Sequence, residues 1–120
     1  MPNQQVLDRV FNALSNETRR GLVARLARSP ASVGELAGPL AMSLPAVMQH
    51  LQVLQDCGLV RTHKVGRVRT CSIEPDRLRL AEGWLGDQRT LWESRLDSLG
   101  DFLAAPRTDH EDPAPDRKLP

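Results

Sequence analysis

Ser43-Leu44-Pro45-Ala46-Val47-Met48-Gln49-His50-Leu51-Gln52-Val53-Leu54-Gln55-Asp56, then Cys57-Gly58-Leu59-Val60, then the basic run Arg61-Thr62-His63-Lys64-Val65-Gly66-Arg67-Val68-Arg69, decides the fold. Ser43 is a good N-cap and Pro45 is tolerated in a first turn that lacks internal partners for its N–H groups, so a helix is predicted over 44–56. Gly58 supplies its C-terminal stop. At about 100° per residue, Val47, Leu51 and Leu54 point into a core, while Pro45, Gln49, Gln52 and Asp56 point the opposite way. Met48 lies on one flank and His50 nearer the core. Two β-like runs follow, Leu59–His63 and Arg67–Ile73, with Val65-Gly66 read as the hairpin turn. Between 61 and 69 stand Arg61, His63, Lys64, Arg67 and Arg69, with no acid among them.

Upstream, Val6, Leu7, Val10, Phe11 and Leu14 recur at helical spacing and predict a first helix over 4–14. Asn16 caps a second, 17–28, whose inward stripe is Leu22, Val23, Leu26 and Ala27, and Ser29-Pro30 ends it. Ser32 caps a short third helix carrying Val33, Leu36 and Ala37, and Glu35 completes a capping box. Downstream, Glu74-Pro75-Asp76 starts a long final helix. Leu78, Ala81, Leu85, Trp92, Leu96, Leu99 and Leu103 form its stripe, with a break expected near Gly86-Asp87 because helix-interior glycines cost about 1 kcal/mol each. Such a rod, about 43 Å long, exceeds the ~13 Å radius of gyration of a chain this size, so part of its stripe asks for a second subunit.

Helix, turn, capped helix and basic hairpin together predict a mainly α fold with a small β-hairpin: a winged helix-turn-helix. Gln in a groove-entering helix can pair bidentately with adenine, and apolar groups can meet a thymine methyl. The Ser43 hydroxyl and the helix N-terminus suit a phosphate, and the hairpin cations suit the DNA backbone or the minor groove. The predicted partner is double-stranded DNA.

Composition agrees. The chain has 120 residues and a formal net charge of +1. Residues 1–80 hold eleven basic against six acidic side chains, and 81–120 hold five against nine. A basic front and an acidic back suit a protein that offers one face to a polyanion. One domain over 1–104 is expected, followed by a disordered tail over 105–120, where four prolines and seven charged residues leave little apolar surface. No apolar run approaches the ~20 residues of a membrane-spanning helix. Met1-Pro2-Asn3-Gln4-Gln5 does not resemble a secretory signal, so a cytoplasmic, nucleoid-associated protein is expected.

The chemistry-bearing residues exclude much else. Cys57 and Cys71 have no C-x-x-C spacing, and His50, His63 and His110 are scattered. No His/Cys/Asp grouping stands at catalytic spacing and no Gly-rich phosphate loop is present, so an enzyme is not expected. No cofactor is expected either. With no Tyr and four other aromatics, Phe11, Trp84, Trp92 and Phe102, base stacking on an aromatic platform is disfavoured. Cys57 and Cys71 fit small core residues or a redox pair. His50 fits either a structural hydrogen bond or a phosphate contact.

Ala13-Leu-Ser-Asn-Glu-Thr-Arg-Arg20, Val33-Gly-Glu-Leu-Ala37, Met42 through Leu54, and Cys57-Gly-Leu-Val60 resemble the ArsR/SmtB family of bacterial transcriptional repressors over roughly 5–103. The resemblance implies a homodimeric repressor on a palindromic operator. Its DNA readers would be Ser43, Leu44, Pro45, Ala46, Met48, Gln49, His50 and Gln52, with Arg61, Lys64, Arg67 and Arg69 on the wing. Its dimer interface would lie on the first and last helices, at Val6, Val10, Leu85, Trp92, Leu96 and Leu99. Family members commonly carry Ser, a basic residue and His-Leu-Arg where this chain has Met48, Gln49 and His50-Leu51-Gln52, which shifts phosphate binding toward the wing. Metal-sensing members carry Cys-x-Cys on the third helix or Asp/His pairs on the last. This chain has neither, so it looks like the metal-independent members, with no metal ligands, and the sequence shows neither whether an effector exists nor what it is. The alternatives are a metal- or redox-responsive sensor of the same family and a protein-interaction module without DNA binding.

Overall fold

The computed structural model describes residues 2–104; the predicted tail, 105–120, lies outside them. Five helices and three strands follow in the order α1 (Pro2–Ala13), α2 (Glu17–Arg28), β1 (Ala31–Ser32), α3 (Val33–Ala37), α4 (Leu44–Asp56), β2 (Val60–Val65), β3 (Val68–Ile73) and α5 (Pro75–Ala104). The chain divides into two compact units, Met1–Gly83 and Trp84–Pro120.

In the first unit the starts of α2, α3 and α4 are chemically marked. Asn16 accepts a hydrogen bond from the Arg19 N–H at 3.0 Å. The Ser32 hydroxyl accepts from the Glu35 N–H at 3.1 Å, and the Glu35 carboxylate accepts from the Ser32 N–H at 2.9 Å, closing the capping box. These bonds hold the Glu35 carboxyl below the ordinary glutamate range: the Ser32 backbone first, its hydroxyl second, with the Arg25 charge adding. Ser43 accepts from the Ala46 N–H at 3.3 Å. The extended Ser29 (φ −173°) ends α2 before Pro30, as the steric demand of a following proline dictates.

The end of α4 carries the energetic weight of one glycine. Leu59 N–H donates to the Leu54 carbonyl and Gly58 N–H to the Gln55 carbonyl, both at 3.0 Å, the paired bonds of a Schellman cap. That cap needs a left-handed residue, and Gly58 has φ +83°. A Cβ there would also stand 2.7 Å from Arg77 Nε, which packs over it.

Beyond the cap, β2 and β3 pair antiparallel from Val60↔Ile73 to Val65↔Val68. The turn is therefore Gly66-Arg67, one residue later than Val65-Gly66. Of these two turn residues Gly66 alone has positive φ (+64°), which matches a type II′ hairpin turn with Gly first. The register places Cys71 opposite Thr62, not near Leu59 as a turn at Val65-Gly66 implied. On its other side Cys71 pairs with Ala31 of β1, so the sheet has three strands in the order β1-β3-β2. A two-residue strand is too short to show period-two alternation, and so β1 is invisible in the sequence.

The core gathers Val10, Ala13, Leu22, Leu26, Leu36, Val47, Leu51, Leu54, Leu59, Val60 and Cys71, with Leu78 and Ala81 from the first turns of α5. Ala27, expected in the α2 stripe, is exposed; Leu22 and Leu26 suffice to seat that helix. In the second unit, α5 continues through Gly86-Asp87 without the expected break.

Leu51 is 1% exposed at the centre of the core. Leu51→Ala should lower unfolding free energy by about 2–5 kcal/mol, read from urea denaturation. A second expectation concerns acid. Because the folded Glu35 value is depressed, its capping contribution is complete above the unfolded value and is lost as pH falls through the folded one. Carbon-13 titration should place Glu35 below an unfolded-peptide glutamate, and Ser32→Ala should move it back up.

Candidate nucleic-acid interface

Burial of Val47, Leu51 and Leu54 leaves one side of α4 facing outward. Ser43, Leu44, Pro45, Met48, Gln49 and Gln52 are all exposed, Leu44 at 53%. Ala46 and His50 are half-buried. Outward apolar, thioether and amide groups thus share a face whose inner side is fully committed to the core.

The polar groups on that face differ in freedom. Gln52 Nε2 donates to Asp56 Oδ1 at 2.8 Å, one helical turn on, so its amide is already engaged. Gln49 has no hydrogen-bond partner among the described residues. His50 Nδ1 lies 3.2 Å from Arg19 Nη1, on the α2 side. The same guanidinium donates through Nε to the Ala13 carbonyl at 2.7 Å and through Nη2 to the Asn12 carbonyl at 3.3 Å. His50 is therefore a structural hydrogen-bond partner, one of the two roles open to it in the sequence. Arg19 was not among the expected functional residues. Its partner lies 31 positions away, and no local pattern reports such a contact.

The wing carries its charge unevenly. Arg61 pairs with Glu74 at 3.0 Å, so the acid-free window of 61–69 is compensated from just beyond its end. Both side chains are partly solvated, and the pair is worth little. Lys64 and Arg69 stand directly opposite one another in the ladder. Like charges at that spacing, about 5 Å between Cβ atoms, repel, and among the described residues no acid pairs with either. Arg67 occupies the turn itself, flanked by the exposed pair Val65 and Val68. An anion entering here would relieve repulsion that the protein leaves standing. Thr62 Oγ1 donates to Gln55 Oε1 at 3.3 Å, which ties the root of the wing to α4.

The thiols are buried in this frame. Cys57 Sγ donates to the Leu54 carbonyl at 3.4 Å, and both Cys57 and Cys71 are free. Desolvation pushes both thiols up, which keeps them protonated and poor nucleophiles. Both are core residues.

Of the residues expected at a dimer interface, Val10 is corrected. It is 0% exposed in the protomer's own core and has no surface left for a partner. Val6 is half-buried. In the second unit Leu85, Trp92 and Leu99 are exposed, Trp92 at 60%, and Leu96 is half-buried. Leu91 and Phe102, which the heptad-like stripe passed over, are exposed as well. No helix among the described residues is long and apolar enough to cross a membrane.

Comparison with known proteins bears on this geometry. A helix-turn-helix domain family matches residues 14–63. The HTH-type transcriptional regulator Rv2034 of Mycobacterium tuberculosis is 46% identical over 71 residues, which span 59% of this chain and 66% of that protein, just under two thirds of its length. The crystal structure of an ArsR family transcriptional regulator, RHA00566, superposes with a TM-score of 0.72 at 49% identity, covering 76% of this chain and 94% of that one. The homodimeric winged helix-turn-helix DNA-binding domain of Mb0332 from Mycobacterium bovis gives a TM-score of 0.60 at 26% identity, covering 73% of this chain and 83% of that one. With α4 and the β2–β3 wing placed as the sequence requires, the chain belongs to the ArsR family of winged helix-turn-helix, DNA-binding transcriptional regulators.

Proposed function

We propose that the protein is a homodimeric repressor that occupies a palindromic operator through α4 and the wing. The observation that carries this reading is the pairing of an outward α4 face, with Gln49 unengaged, and a hairpin whose Lys64, Arg67 and Arg69 lack acidic partners among the described residues. Gln49, Met48, Pro45 and Leu44 read base edges in the major groove. Ser43 and the first turn of α4 hold a phosphate. Gln52 reads a base only by exchanging its bond with Asp56, so it contributes less than Gln49. Arg61 is the weakest wing contact because Glu74 already holds it.

Dimerisation uses Val6 of α1 and Leu85, Trp92, Leu96 and Leu99 of α5. An unpartnered helix exposing Leu85, Trp92, Leu99 and Phe102 to water is costly, and a second copy removes that cost. A twofold then spaces two α4 helices by about 34 Å, one turn of B-DNA. Residues 1–104 act as the DNA-binding and dimerisation region, and a DNA partner implies a cytoplasmic, nucleoid-associated protein.

An operator selected from a randomised duplex pool tests this reading. At about 150 mM salt it should bind far more tightly than random duplex, and equal affinity would overturn sequence-specific repression. Arg67→Ala should weaken binding to all sequences alike and reduce the salt slope by about one unit for each wing cation removed, about two for the dimer. Gln49→Ala should instead change base preference at one position, costing about 1–3 kcal/mol on the preferred base. Trp92→Ala should shift the protein toward monomer in sedimentation and weaken operator binding at low protein concentration.

A further inference from the structure

Arg19 spends one guanidinium on two helices beside its own. Nε donates to the Ala13 carbonyl at the C-terminus of α1, Nη2 joins the Ser15 N–H and hydroxyl on the Asn12 carbonyl, and Nη1 reaches His50 Nδ1 on α4 at 3.2 Å. Helix-terminal carbonyls lack intrahelical donors, and a cation there also meets the negative end of the helix dipole. The guanidinium is thus anchored from the α1 side, and its third donor fixes the ring. Arginine has five donors, no acceptor and no accessible neutral form. His50 Nδ1 must therefore accept, and the proton of the neutral ring is on Nε2. Among the described residues Nε2 has no hydrogen-bond partner.

From this arrangement we infer that Arg19 is a positioning residue for DNA binding: it locks His50 in the Nε2–H tautomer, so that the neutral ring offers one oriented donor to a DNA phosphate oxygen. The inference rests on the reading of α4 as the DNA-facing helix. It assigns His50 two jobs at once, a bond inward through Nδ1 and a bond to the backbone through Nε2. It also adds a second phosphate contact on α4, roughly one and a half to two turns beyond the one proposed at Ser43, where the resemblance suggested that phosphate binding had shifted toward the wing. A neutral donor adds no counterion release, so this contact strengthens binding without steepening its salt dependence, unlike Lys64 or Arg67.

Two variants separate the halves of the claim. Nitrogen-15 shifts of the His50 ring, recorded on the free full-length protein in mildly alkaline buffer, should show a single Nε2–H tautomer. Arg19→Ala should turn that signal into a tautomer mixture. His50→Asn puts an amide acceptor where Nδ1 stands and removes Nε2. It should keep the Arg19 contact and the melting temperature, yet lose about tenfold in affinity for operator and random duplex alike, with an unchanged salt slope. His50→Gln, which returns a donor near the Nε2 position, should recover most of that loss. Adding Arg19→Ala to His50→Asn should cost little further affinity, because both act through one contact.

A wild-type ring protonated on Nδ1, or an Nε2–H signal unchanged by Arg19→Ala, overturns the tautomer assignment. His50→Asn binding as tightly as wild type overturns the phosphate contact. Wild-type protein that does not distinguish selected operator from random duplex instead overturns the repressor reading. The ring spectrum, taken without DNA, still decides the role of Arg19 in that case.

Discussion

The structure depends on the burial of one stripe of α4. Val47, Leu51 and Leu54 are each 0–1% exposed, in a helix that packs against α1, α2, α3 and β2. Each such side chain contributes about 1.5–3 kcal/mol on burial, so the helix is held by its apolar face rather than by its own hydrogen bonds. Its rotation about its axis is then set by packing. Moving Leu51 out of the core to turn Gln49 inward would expose a leucine and bury an amide, two unfavourable changes for one rotation. The outward direction of Met48, Gln49 and Gln52 is thus a consequence of the core, and the face proposed to read DNA needs no energy of its own to stay in place.

The same logic explains which parts of the molecule were legible in the sequence. The caps at Asn16, Ser32 and Ser43, the glycine stop at Gly58 and the inward stripe of α4 are local chemistry, and the helices appear where that chemistry puts them. β1 was not legible, because two residues carry no period and their pairing with Thr70 and Cys71 is a long-range event. The turn lay one residue late, since a glycine names the neighbourhood of a type II′ turn but the strand register names the position. Gly86 did not break α5: one helix-interior glycine costs about 1 kcal/mol, and the helix-forming residues on both sides outweigh it.

In the candidate site, the outward residues of α4 were legible and their restraints were not. The exposed face of α4 follows from spacing alone. That Gln52 is held by Asp56, Arg61 by Glu74 and His50 by Arg19 follows from geometry that brings distant side chains together, or from a rotamer choice. Val10 shows the converse. Periodicity placed it on the apolar side of α1 but could not say whether that side met the protomer's own core or a partner.

Charge completes the division of labour. The whole chain is nearly neutral, at +1, and a global count would give little attraction for a polyanion. Lys64, Arg67 and Arg69 escape that average because they are exposed on a thin ribbon and no acid pairs with them among the described residues. Lys64 and Arg69 are like charges directly opposite one another in the ladder, and a phosphate between them would turn repulsion into two attractions. The free energy withheld from folding at the hairpin would thereby return on binding. This exchange works only because the three-stranded sheet, anchored through Cys71 and Val60 in the core, is stable without help from its tip. The part of the wing that would touch DNA is the part that the core can spare.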